Sequence, residues 1–144
     1  MSRLKIAGLY MQALFYIFAG INHLWHPQPY LGIMPPYFSA PAFWVAFTGY
    51  CEIAGGLGLL LPRARRLSAW GLAAMLLGYF TVHIHMLVHQ ADLYPTIPVW
   101  VLWARLAFQP VLIAWALIYA GSTYADGARR EAPHPAGSGK SQRS

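Results

Sequence analysis

The sequence predicts an all-α integral membrane four-helix bundle followed by a disordered C-terminal tail. Three observations carry that prediction. First, four apolar stretches cover residues 6–24, 41–61, 67–88 and 97–120. About 20 helical residues at a 1.5 Å rise cross a bilayer's hydrocarbon core, so each stretch is long enough to span. Second, 58% of the 144 residues are apolar and only 10% are charged, whereas about a quarter of a soluble domain is charged. Third, the chain has 10 Lys and Arg against 4 Asp and Glu, and the basic residues cluster between the apolar stretches. They form no stripe of the kind that binds nucleic acid. The partner they indicate is the lipid bilayer.

Each element has its own justification. Arg3 and Lys5 precede span one, and no A-x-A cleavage site follows it, so it reads as an uncleaved first helix rather than a signal peptide. Pro41 opens span two, where its missing N–H costs nothing, and Pro62 closes it. Arg63, Arg65 and Arg66 fill the tight second loop. Pro98 stands near the start of span four, and Pro110 inside it predicts a kink. The first loop, 25–40, and the third, 90–96, contain no Lys or Arg. The positive-inside rule therefore predicts both termini and the second loop in the cytoplasm, with the chain in the cell (inner) membrane. Residues 1–121 form one domain. Residues 122–144, rich in Gly, Ser, Pro and charge, are expected to be a flexible basic tail. Trp25, Tyr30, Tyr37, Phe38, Trp44, Tyr94 and Trp100 are expected to form an aromatic belt at the outer boundary.

Polar residues at membrane depth need a partner or a job, because each is costly there. They are few: Gln12, Asn22 and His23 in span one, Thr48, Cys51 and Glu52 in span two, His83, His85 and His89 in or at the end of span three, and Arg105 and Gln109 in span four. From the outer end, Glu52 lies about 16 Å along its helix and Arg105 about 12 Å along its own. That similarity predicts a Glu52–Arg105 pair, acting either as a register clamp or as the wall of a ligand or proton site. His85 and His89 share one helix face while Tyr79 and His83 share another, so only one face can point squarely inward. Histidines of spans one and three at similar depth permit a metal or axial haem ligation, but no motif with a companion carboxylate requires it. The single cysteine, Cys51, excludes an intramolecular disulfide and reads as a small apolar filler. Ala54 with Gly58 and Ala74 with Gly78 are small-xxx-small pairs, read first as packing within the chain and second as a homo-oligomer face.

Several motifs in order then carry a resemblance. Phe18-Ala19-Gly20 and Asn22-His23 end span one, and a proline-rich loop with Tyr30 and Met34-Pro35 follows. Next come Gly49, Glu52, a Gly-rich run to Leu61-Pro62, and the Arg65-Arg66 turn. Ile84-His85-Met86 lies on span three, and Arg105-Leu106-x-x-Gln109 with Trp115 on span four. Over about residues 14–118 this arrangement resembles the DoxX-like family of small four-helix bacterial membrane proteins. Thr81-Val82-His83 departs from the family's Pro-Ala-Asn, so no family role is carried to His83.

The resemblance implies an accessory subunit of a quinone-linked or thiol-linked redox system. The family is named after a subunit associated with archaeal quinone-linked sulfur oxidation, and its Glu and Arg positions fall on Glu52 and Arg105. The expected ligand-binding residues are Glu52, Arg105, Gln109, His23, Asn22, His83 and His85; the ligand itself is unassigned, with quinone ranked ahead of haem or metal. No residue is assigned a catalytic role, and the isolated chain is not expected to be an enzyme, since it has no redox motif of its own. The alternatives are a small-solute or proton-coupled transport protein, and a structural assembly factor without a ligand.

Overall fold

The computed structural model describes residues 2–121. The predicted tail, 122–144, lies outside the described residues. Among those residues the protein is all-helical, with six helices: α1 Arg3–Trp25, α2 Gln28–Leu31, α3 Pro41–Leu60, α4 Arg65–Val88, α5 Gln90–Leu93 and α6 Val99–Ala120. The four longer ones are long and apolar enough to cross a membrane.

The helix ends follow from local chemistry. Ser2 caps α1 by accepting the Lys5 N–H at 3.3 Å, which starts the helix ahead of the apolar run. Pro41 is the first residue of α3, and Pro98 stands just before α6. Pro98 lies outside the helix, so α6 begins at Val99, two residues later than the apolar pattern alone suggests. Pro110 does not end α6, which runs through it to Ala120. The short helices α2 and α5 occupy the two loops that lack basic residues. Neither was legible from periodicity, because a single turn is shorter than one hydrophobic repeat.

The long helices pack as two close pairs, α1 with α3 and α4 with α6, joined through α3 and α4. Apolar burial drives little of this between lipid-solvated helices, so close packing and interhelical hydrogen bonds must do it. The α1–α3 pair shows the packing. Gly20 lies against the Gly49 backbone, and Gly56 against the Ala13 carbonyl. Hydrogen bonds tie elements together at one end: the Arg65 Nε donates to the Leu59 carbonyl, and the Tyr119 hydroxyl to the Lys5 carbonyl. Leu9, Ala13, Leu59, Leu72, Leu112 and Ala116 fill the core at the end of the bundle that carries Lys5 and Arg65. A smaller cluster of Met86, Tyr94 and Leu102 lies at the other end. Leu14, Phe18, Leu57, Leu77, Phe108 and Ile118 face outward, as lipid-facing residues should.

The small-residue prediction is half corrected. Gly58 packs on Ser68 inside the bundle, but nothing lies within 4 Å of a Cβ built on Gly78, or on Gly71 one face-repeat before it. Ala74 is exposed with them, so no helix packs directly on this stripe of α4.

Candidate functional site

The close approach of α1 and α3 builds the site. A Cβ on Gly49 would lie 2.8 Å from the His23 Cβ and 3.0 Å from the Gly20 carbonyl oxygen. Only glycine at this crossing brings the α1 backbone near enough for His23 to reach one turn along α3. There the His23 Nδ1 sits 3.3 Å from the Val45 carbonyl and 3.3 Å from the Thr48 hydroxyl. A carbonyl can only accept, so Nδ1 carries the proton in that bond and donates it. The other ring nitrogen, Nε2, faces the Glu52 Oε2 at 3.7 Å, the one ion-pair contact among the described residues.

Glu52 is 4% exposed. Its Oε1 accepts the Tyr79 hydroxyl of α4 at 2.9 Å. Its Oε2 is buried without a hydrogen-bond partner. The 3.7 Å gap to His23 is longer than a hydrogen bond, and a water or a ligand atom between two polar groups at that distance would serve both. Deeper on α1, Gln12 and the Tyr16 hydroxyl are also buried, with no partner beyond one another.

These groups face a cavity of about 780 Å³, within the roughly 300–1,000 Å³ of ligand pockets. His23, Glu52, Tyr79, His83, Arg105 and Gln109 supply its polar wall, and the rest is largely apolar. Phe47 and Ala54 of α3, with Gly71 and Gly78 of α4, line it and are also exposed, which marks an opening on the bundle's flank between α3 and α4. Tyr30, Ile33, Met34 and Phe38 close the end under the first loop.

The predicted Glu52–Arg105 pair does not form. Glu52 binds Tyr79 and approaches His23, while Arg105 has neither an ion pair nor a hydrogen bond among the described residues. Depth along the helix axes was a sound guide, but α3 and α6 do not pack along one another, and α1 and α4 bring closer partners. Arg105 instead stands on the inward stripe of α6 between Leu102 and Gln109 and lines the cavity with its side chain exposed.

The other predicted residues separate. Gln109, 4% exposed, spends its amide on the Leu76 carbonyl at 2.9 Å and so ties α6 to α4. Gln109→Leu should therefore cost about 0.5–1.5 kcal/mol of stability by removing that interhelical hydrogen bond, read as a lower Tm in detergent. An unchanged Tm would remove Gln109 from the frame. His83 lines the cavity with its Nδ1 unpartnered. His85 does not line it. Its ring packs 4.2 Å from His89 and edge-on to Tyr37 at 5.6 Å, beneath the loops. Of the two, His83 is the one that reaches the cavity, while His85 is the more buried and keeps an unpartnered Nε2 beneath the loops. Asn22 is exposed and donates to the Tyr30 hydroxyl at 2.6 Å, positioning Tyr30 rather than touching the cavity.

Three site residues were missed as such. Tyr79 was noted only for sharing a face with His83, and that spacing was the available signal. Tyr16 repeats one turn after Gln12. Tyr30 was assigned to the aromatic belt, yet its ring lies 3.7 Å from that of His23. Trp44 likewise lines the cavity and Tyr37 packs on His85. Cys51 is half-buried in the cavity wall.

Residues 12–120, which include every residue of the cavity's polar wall, match the model of one protein family. No curated protein and no solved structure matches the chain. The chain belongs to the family described as Domain of unknown function (DUF8561).

Proposed function

We propose that this chain is a multi-pass inner-membrane protein that binds a lipid-soluble quinone in its central cavity and serves as an accessory subunit of a redox system. The observation that carries the reading is the buried, unpartnered Glu52 Oε2 facing His23 Nε2 across 3.7 Å in an otherwise apolar cavity. A carboxyl–imidazole slot sharing one proton can donate to a carbonyl oxygen or accept from a hydroxyl. Those are the groups that distinguish the oxidised and reduced forms of a quinone. The flank opening between α3 and α4 suits a ligand that arrives from the bilayer. Arg105, without a partner, offers a second polar contact from α6.

The redox role rests on the DoxX-like motifs, which are matters of residue order. The orientation rests on charge. Arg3, Lys5, Arg63, Arg65 and Arg66 gather at one end of the bundle while the loops at the other end carry no Lys or Arg, a bias that supports a cytoplasmic first end.

Mass spectrometry of the lipid extract from protein purified in mild detergent tests the reading. Quinone should co-purify with the wild type in near-stoichiometric amount and fall to the level of bulk lipid carry-over in Glu52→Leu. Quinone at the carry-over level in the wild type would overturn it.

A further inference from the structure

We infer that His23 is the route by which protons enter and leave the cavity, connecting Glu52 to the end of the bundle that carries α2 and α5. The inference concerns the proton and holds whatever the ligand is; it rests only on Glu52 being the cavity's acid.

The groups that face Glu52 are known from every neighbouring helix. The polar and titratable side chains that share its cavity are His23 and Tyr16 from α1, Tyr30 from α2, Thr48 and Cys51 from α3, Ser68, Tyr79 and His83 from α4, and Arg105 and Gln109 from α6. Tyr79 already donates to Oε1, and Gln109 is held by Leu76. Arginine does not release its proton in proteins. His23 is the only one of the set that both approaches the unpartnered Oε2 and stands near a helix end, two residues before α1 stops at Trp25. Its second nitrogen contacts Val45 and Thr48, which belong to the first two turns of α3 at that same end.

Toward the opposite end Glu52 has no comparable contact. Beyond Tyr16 the interior is filled by Leu9, Leu59, Leu72, Leu112 and Ala116, and the next hydroxyl, Tyr119, is engaged by the Lys5 carbonyl. Gln12 and the Ser68 hydroxyl lie on that side, and neither makes a hydrogen bond to Glu52 among the described residues. The transfer balances simply. The proton on Oε2 passes to Nε2, directly or through one water, leaving a carboxylate beside an imidazolium. The imidazolium then gives up one proton to water at the rim and returns to the neutral ring.

Infrared difference spectroscopy of the full chain in nanodiscs after a pH jump reads this exchange, with the Glu52 carboxyl band identified by its loss in Glu52→Gln. In His23→Phe the band should respond more slowly by on the order of 100-fold, while His26→Phe, a substitution of an exposed residue that does not line the cavity, responds at the wild-type rate. His23→Asn serves as a second variant should the phenylalanine disturb packing, with helicity checked by circular dichroism. An unchanged rate in both His23 variants, equal slowing in His26→Phe, or a wild-type band that never responds to pH would each overturn the inference.

Discussion

Gly20→Val is expected to be the single substitution most damaging to the fold. Any Cβ at position 20 would overlap the Gly49 carbonyl oxygen, and it would lie 2.8 Å from the Ile53 Cγ1 and 3.0 Å from the Glu52 Cβ. The first obstacle is backbone, which cannot swing aside as a side chain can. The α1 and α3 helices must therefore separate, and overpacking of this kind costs about 1–3 kcal/mol or more, with the upper end expected here. The same movement withdraws His23 from Glu52, so the site and the fold should fail together. Gly71→Ala and Gly78→Ala make the contrast. Each added methyl meets open space, and alanine is the better helix former by about 1 kcal/mol, so both should hold or raise Tm. Thermal denaturation of the four proteins in one detergent decides it. Equal Tm for Gly20→Val and the wild type would mean the helices do not cross at this point.

Glu52→Leu is expected to have the largest effect on binding. Leucine fills a similar volume, but it removes the acceptor of the Tyr79 hydroxyl and the slot opposite His23. Losing one member of a buried polar contact costs about 2–5 kcal/mol of affinity, which corresponds to roughly 30-fold to a few thousand-fold in Kd. The fold should suffer less. The orphaned Tyr79 hydroxyl costs about 1–3 kcal/mol, while a costly buried polar group at membrane depth is removed. Binding lost at nearly normal Tm marks Glu52 as a ligand group. Tm lost with binding retained would mark it as a structural clamp.

The fold was legible because the bilayer imposes a length and a composition on each span, and these leave a strong signature even in one sequence. Helix ends came out within a few residues, since Pro41 and Pro98 punctuate them. The site was legible only in part. Rarity of polar groups in the spans singled out His23, Glu52, His83, Arg105 and Gln109, all of which line the cavity. Which of them touch was not legible. Contact depends on how each helix is rotated and which helices are neighbours, and a one-dimensional depth estimate carries neither. That is why Arg105 was paired with Glu52, and why Tyr79 was overlooked. Tyrosine is so common at membrane boundaries that a tyrosine with a buried hydrogen bond gives no separate signal.

The central claim is that the Glu52–His23 slot reads the redox form of a quinone. Tryptophan quenching in nanodiscs, with Trp44 in the cavity wall as a reporter, tests it most directly by titrating a short-chain quinone in its oxidised and reduced forms. The wild type should bind both saturably. In Glu52→Gln the amide oxygen still accepts from Tyr79, leaving an NH₂ that can only donate toward the cavity. The variant should therefore keep the oxidised form, whose carbonyl accepts, and lose the reduced form, whose hydroxyl needs an acceptor. Non-saturable quenching by both forms in the wild type, or identical affinities for both forms in Glu52→Gln, would contradict the account.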